Sequence, residues 1–246
     1  MPFTFSHPAI IFPIYRVFRK WTSLTGLVIG SMAPDFEKFL FMKHSNAFSH
    51  SITGVFLFCL PVSLGLSFLF HLFVRDALID NLPDFLRNRL YPYRKLNWPS
   101  HFRKHYLLVV TSALVGSLSH LFWDGFTHSD GFLMNFSSPF LSRSYTVAGL
   151  SASPFLVLQL INSLAGMLVV LWAMLQLPLQ KVPERTGSLA NYWLLVVAVT
   201  LGLVVLRVLV YTPDRRLEVV LTAMLAFLVS LVLTPLLRKP ASRYSA

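Results

Sequence analysis

The sequence predicts an all-α polytopic membrane protein: a helical bundle of about five transmembrane helices, with short interfacial or re-entrant helices at its N-terminus. Three observations carry that prediction. Of the 246 residues 55% are hydrophobic and only 13% are charged, against roughly 25% charged in an average soluble domain. The mean hydropathy is +0.63. The apolar residues also gather into stretches close to the ~20 residues that a bilayer crossing requires. Too few polar groups remain to cover a soluble globule, so a cytosolic domain, a disordered chain and a nucleic-acid-binding basic domain are excluded despite the net charge of +11. The lipid bilayer is the expected partner, with no nucleic acid; the oligomeric state is not legible.

Taken in order, residues Pro8–Val17 and Leu24–Met32 read as short helices that lie in or dip into the interface and pack against the bundle. The second is too short to cross, and Pro34 disfavours helical geometry in the residue before it. The spans follow at about Ser51–Val74, Tyr106–Phe126, Phe155–Leu177, Tyr192–Tyr211 and Leu217–Leu237. Between the first two, 76–103 is a polar connector in which Leu78, Leu82, Phe85, Leu86 and Leu90 recur at near-helical spacing. That pattern suits a helix lying on an anionic surface, or a solvated loop with one apolar side. Residues 1–150 form an N-terminal part with the first two spans, and 151–246 hold three further spans and a short tail. Cys59, the only cysteine, precludes an intrachain disulfide and reads as a small buried hydrophobe. The first basic residue is Arg16, so no cleaved leader is expected.

Orientation follows from the distribution of Lys and Arg. With five spans, residues 1–50, 127–154 and 212–216 share one face and carry eight basic residues. The other face, with 75–105, 178–191 and the C-terminus, carries twelve. The C-terminus is therefore expected in the cytoplasm.

Histidines and carboxylates then converge on one face. His50 starts the first span, whereas His120 and Asp124 lie near the far end of the second, which returns to the same side. His7, Asp35 and His128 belong to segments tethered there as well. His120 and Asp124 are four residues apart, hence neighbours on one helix face. His128 joins them if the helix continues. Imidazole with carboxylate is the ligand set of zinc and other divalent hydrolytic metals, and ionisable groups near hydrocarbon are rarely without function. Each residue also has a plainer reading. His50 could be the polar start of a helix beside a capping serine, His120 and Asp124 could pair only with each other, and Asp35 could cap a turn. Arg207 most simply snorkels to the headgroups, although with Arg215 and Arg216 it could hold an anionic substrate.

Four motifs carry a resemblance. Met1-Pro2-Phe3-Thr4-Phe5-Ser6-His7-Pro8, Gly30-Ser31-Met32-Ala33-Pro34-Asp35-Phe36-Glu37, Ser49-His50-Ser51 and Ser119-His120-Leu121-Phe122-Trp123-Asp124 resemble an uncharacterised bacterial family of integral membrane proteins, a domain of unknown function. Their order is also similar to that in bacterial inner-membrane proteins described as metal-dependent hydrolases, and more distantly to zinc-dependent phospholipase C. The resemblance implies metal ligands at His7, Asp35, His50, His120, Asp124 and His128, with Asp35 and Asp124 also catalytic. The soluble enzymes complete a three-metal site with a later His-x3-Glu helix and the amino-terminal residue. This chain has no histidine after His128, so one or two metals are implied. The expected function is a membrane-embedded, metal-dependent hydrolase of a phosphoester or lipid headgroup bond, using a divalent metal such as zinc on a phospholipid substrate in the bacterial inner membrane. The alternative is a non-catalytic scaffold whose His/Asp cluster is structural or holds a structural metal.

Overall fold

A computed structural model describes residues 3–42, 47–127, 145–147, 150–185, 187–211 and 216–238. Among them, five helices are long and apolar enough to cross a membrane, and the protein is an all-α polytopic bundle. The chain divides into two compact units.

The first unit comprises 1–36, 46–65 and 102–176. It opens with a 3-10 turn, Thr4–Ser6, followed by α1 (Pro8–Val17) and α2 (Leu24–Met32). The bounds of both helices are those expected from the sequence. Pro8 at the first helical position lacks the N–H that would be orphaned there, and Ser23 caps α2 by accepting from Gly26 N. A 3-10 turn, Ala33–Asp35, ends α2. The unit also holds the start of α4 (Ile52–Asp80) and most of α6 (Trp98–Thr127). It closes with α7 (Pro154–Leu175), preceded by a β-hairpin that pairs Tyr145–Val147 with Leu150–Ala152.

What positions these pieces is a seam of small residues. Gly26 and Gly30 of α2 meet Ser112, Ala113 and Gly116 of α6 so closely that backbone touches backbone. A Cβ added at Gly26 would lie 2.7 Å from the Val109 carbonyl oxygen, and one at Gly30 would collide with the Ala113 carbonyl. In lipid, where apolar burial drives nothing, such close approach is what holds helices together. Hydrogen bonds fix the register of the seam. Ser23 N donates to Ser112 Oγ at 2.7 Å, and the Ser117 hydroxyl reaches Gly30 O at 3.1 Å. Ser23 pairs with Ser112, Gly30 with Ser117 and Ser31 with His120, so α2 runs parallel to α6. The turn joining α1 to α2 therefore lies beside the Ser112 level.

The second unit comprises 37–45, 66–101 and 177–246. It begins with α3 (Phe36–Phe41); α8 (Leu189–Val210) and α9 (Arg216–Leu237) pack along each other. The Thr200 and Ser230 hydroxyls meet at 2.9 Å between them. A core of Val74, Tyr192, Val196 and Leu231 joins this pair to α4. Here the helices exceed the expected spans: α4 continues past Val74 to Asp80 and α6 starts at Trp98. The polar residues are absorbed by local pairing. Buried Arg75 donates to Leu96 O at 2.7 Å, Arg94 O at 3.0 Å and Asp76 Oδ1 at 2.7 Å. The connector shrinks to α5 (Asp84–Leu90) and a 3-10 turn, Tyr91–Lys95. Asn81 and Pro83 interrupt the single helix that the leucine spacing suggested. α6 bends at His105, where φ is −130° and ψ 29°.

The seam predicts opposite outcomes for two glycines. Gly30→Ala lowers the thermal unfolding midpoint in detergent, overpacking of this kind costing about 1–3 kcal/mol. Gly65→Ala, with nothing within 4 Å of the added Cβ, leaves the midpoint unchanged or raises it, since alanine suits a helix interior better by roughly 0.5–1 kcal/mol.

Candidate metal centre

Five side chains from four separate stretches of the first unit meet at one point. His7 immediately precedes α1, Asp35 ends the turn after α2, His50 lies in the turn before α4, and His120 with Asp124 project from α6. Asp124 is the hub. Its Oδ1 is 3.2 Å from His7 Nε2, and its Oδ2 is 3.2 Å from His50 Nε2 and 3.3 Å from His120 Nε2. Asp35 Oδ1 stands 3.8 Å from His120 Nε2. The His7 and His120 rings stack with centroids 3.9 Å apart and 16° between planes, so both edges point the same way. Two sets of three, His7–Asp35–His120 and His50–His120–Asp124, offer ligand atoms within 4.8 Å of one another.

The outer partners decide what the inner edges can do. His120 Nδ1 lies 2.7 Å from Ser31 O, a pure acceptor, so Nδ1 carries the proton. The Ser49 hydroxyl donates to Pro34 O at 2.7 Å. Having spent its proton there, it accepts from His50 Nδ1 at 3.0 Å. In both neutral rings Nε2 is then a lone pair, and both lone pairs face a carboxylate oxygen. Acceptor opposite acceptor is repulsive unless a proton or a metal ion lies between them. The second carboxylate, Asp35, is held by the Thr4 hydroxyl, which donates to Oδ2 at 2.7 Å. His7 Nδ1 is buried without a hydrogen-bond partner among the described residues. Imidazoles oriented by carbonyl and hydroxyl partners through the far nitrogen are the usual supporting arrangement of a metal ligand. The donor set, nitrogen and carboxylate oxygen without sulfur, suits zinc and its neighbours.

Burial sharpens the point. The His7, His120 and Asp35 side chains are 0–1% exposed and Asp124 is 6% exposed. Taking two carboxylates out of water costs several kcal/mol each unless a cation balances them. His50, at 21%, is the most open of the five.

A family model described as Domain of unknown function (DUF4184) matches residues 1–239. The chain belongs to this family. No match was found among curated proteins or among solved structures. DUF4184 spans every residue of the cluster. Of the residues anticipated from sequence, His7, Asp35, His50, His120 and Asp124 are brought together. His128 and Arg215 lie outside the described residues, as does the side chain of Arg216. Arg207 belongs to the second unit, where its guanidinium stands 4.1 Å from the Tyr211 ring centroid.

Sequence reasoning missed the supporting groups, Thr4, Ser31 and Ser49. Thr4 and Ser31 stood inside the motifs, but their roles depend on backbone placement that no spacing rule shows. Ser49 stood inside a motif too, and was otherwise read as part of a polar helix start. The capping serine is in fact Ser51, which accepts from Gly54 N at 3.0 Å. Gly54 has no Cβ to strike the Phe48 carbonyl, so the turn that carries His50 folds down tightly onto α4.

Ser49→Ala therefore weakens metal retention by about 10–100-fold, the usual loss for an outer partner of a ligand, without unfolding the protein. Competition with a chromophoric chelator on detergent-purified samples reads this directly. Unchanged affinity would detach Ser49 from the site.

Proposed function

We propose that the protein is a membrane-embedded, metal-dependent hydrolase of a phosphoester, with a lipid headgroup bond as its substrate, in the bacterial inner membrane with its C-terminus in the cytoplasm. The observation that carries this reading is the meeting of two imidazole edges, whose far nitrogens bond outward, with a buried carboxylate, beside a second carboxylate and a part-exposed His50. A divalent ion such as zinc fits this donor set, held by His50, His120 and Asp124 with His7 and Asp35 adjoining. When bound, such an ion acts as a Lewis acid and lowers the pKa of water towards neutrality.

The chain's own residues supply the rest. Asp124 and the imidazoles fix the site's geometry through their buried partners. Asp35, held on one oxygen by Thr4, keeps the other towards the cluster, where it orients a water for attack. In the reaction the water oxygen bonds to phosphorus, the phosphorus–oxygen bond of the leaving group breaks, and the water's proton ends on the departing alkoxide. Exposure at His50 favours this over a structural metal, whose four protein ligands would close the site.

A groove supports a lipid substrate. It holds about 630 Å³ between α1 and α7, with Ile10, Pro13, Trp123, Gly166 and Trp172 among its lining. Ile10 lies three residues after His7 and Trp123 precedes Asp124, so two of its walls come from the segments that carry cluster residues. From Asn162 to Trp172 the groove follows ten residues of α7, about 15 Å. Its lining is apolar apart from Asn162 and Arg16, which suits an acyl chain whose headgroup remains at the cluster.

Purified protein should hydrolyse phospholipid or a chromogenic phosphodiester, lose that activity to a chelator and regain it with zinc. His120→Ala and Asp124→Asn should fall to background with the fold retained. Metal-loaded wild type inactive on a broad ester panel would favour the scaffold reading. Val169→Trp, which fills the groove, should lower turnover of long-chain substrate about tenfold, equivalent to about two lost methylene contacts, and spare a short soluble ester.

A further inference from the structure

The turn between α1 and α2 has no role in the metal centre, and its chemistry is distinctive. Arg16, Arg19 and Lys20 are exposed there, beside exposed Val17, Phe18 and Trp21, the last 78% exposed. None of the three cations forms an ion pair among the described residues. No acidic residue precedes Asp35 in the chain, so the hairpin carries no counter-charge of its own.

Its depth can be read along α6. Ser23, at the start of α2, bonds Ser112, and Ser31, at its end, bonds His120. The eight residues between those contacts are about 12 Å of helix. Gly26 already meets Val109, and Arg16 and Val17 line a groove with Trp172, close to the end of α7 at Leu175, so the tip lies beyond the Ser112 level, towards exposed Arg103 and Lys104 and away from His120. Leaving three cations in hydrocarbon would cost roughly 2.5–3.5 kcal/mol each. Arginine and lysine interleaved with tryptophan and phenylalanine are instead the composition of a membrane–water boundary.

We infer that α1 and α2 form a re-entrant hairpin whose basic, aromatic tip rests among anionic phospholipid headgroups of the leaflet opposite the metal centre. The same placement settles the side. Moving Arg16, Arg19 and Lys20 from one face to the other changes the balance of basic residues from eight against twelve to five against fifteen. The tip therefore lies in the cytoplasmic leaflet, and the metal centre opens to the opposite side. This inference stands without any catalytic activity. Combined with the proposed function, it makes the substrate an ester exposed on the outer leaflet.

Lys20 of the unaltered protein is the probe. A membrane-impermeant amine reagent, read by peptide mass spectrometry, modifies Lys20 in inside-out vesicles and not in right-side-out ones. In a Cys59→Ser background, Phe48→Cys near the metal centre reacts with an impermeant maleimide in the reverse pattern. Lys20 and position 48 labelled from one side, or Lys20 labelled only after the membrane is dissolved, would overturn the inference. In reconstituted vesicles, phosphatidylglycerol added to phosphatidylcholine lowers Lys20 reactivity about fivefold, the equivalent of about 1 kcal/mol of surface attraction per cation. Equal reactivity in both lipids would remove the anionic partner. Because the readout is labelling, it succeeds or fails independently of metal binding and hydrolysis.

Discussion

Two imidazole lone pairs point at the same carboxylate oxygen, and the first unit is organised around making that arrangement tolerable. Asp124 cannot be neutral company for His50 and His120 when the protons of both rings are committed outward, to Ser49 and to the Ser31 carbonyl. A shared cation turns three mutually repelling acceptors into ligands. Without one, the same contacts are a liability in a low-dielectric interior. The outer hydrogen bonds thus determine the inner chemistry, since each fixes the tautomer that presents a lone pair inward.

Backbone proximity makes those outer bonds possible. Ser31 O reaches His120 only because α2 lies against α6 along a glycine seam, and Pro34 O reaches Ser49 only because the Ala33–Asp35 turn follows directly. Asp35 comes into place from the same turn. The hairpin of α1 and α2 serves both ends of the unit: its near end carries His7 and the Ser31 carbonyl, and its far end carries a cationic, aromatic tip. Small residues in the middle hold the register between them. A helix pair too short to cross the bilayer can thus brace a site at one level and anchor at another.

Much of this was legible in the sequence because lipid imposes simple rules. Length and apolarity mark the five spans, and their parity places His50 with His120 and Asp124. The four-residue spacing of His120 and Asp124 set them on one helix face. The bounds of both short helices were also legible, with Pro34 setting the limit of the second. The register of α2 on α6 was not legible. Gly26 and Gly30 are spaced for close packing, but a seam needs a partner, and nothing local names Ser112, Ala113 and Gly116. The extension of α4 to Asp80 was hidden for another reason: Arg75 marks the end of a hydropathy window, whereas its guanidinium finds carbonyl partners from distant residues and lets the helix run on.

The central claim is that a divalent metal sits among these imidazoles and carboxylates. X-ray absorption at the metal edge, on protein purified in detergent and loaded with a single equivalent of zinc, tests it most directly. The expected spectrum has a first shell of nitrogen and oxygen at about 2.0–2.1 Å, with outer-shell scattering from at least two imidazoles that diminishes in His120→Ala. Zinc coordinated by water alone, or a spectrum indifferent to loss of His120, would contradict it.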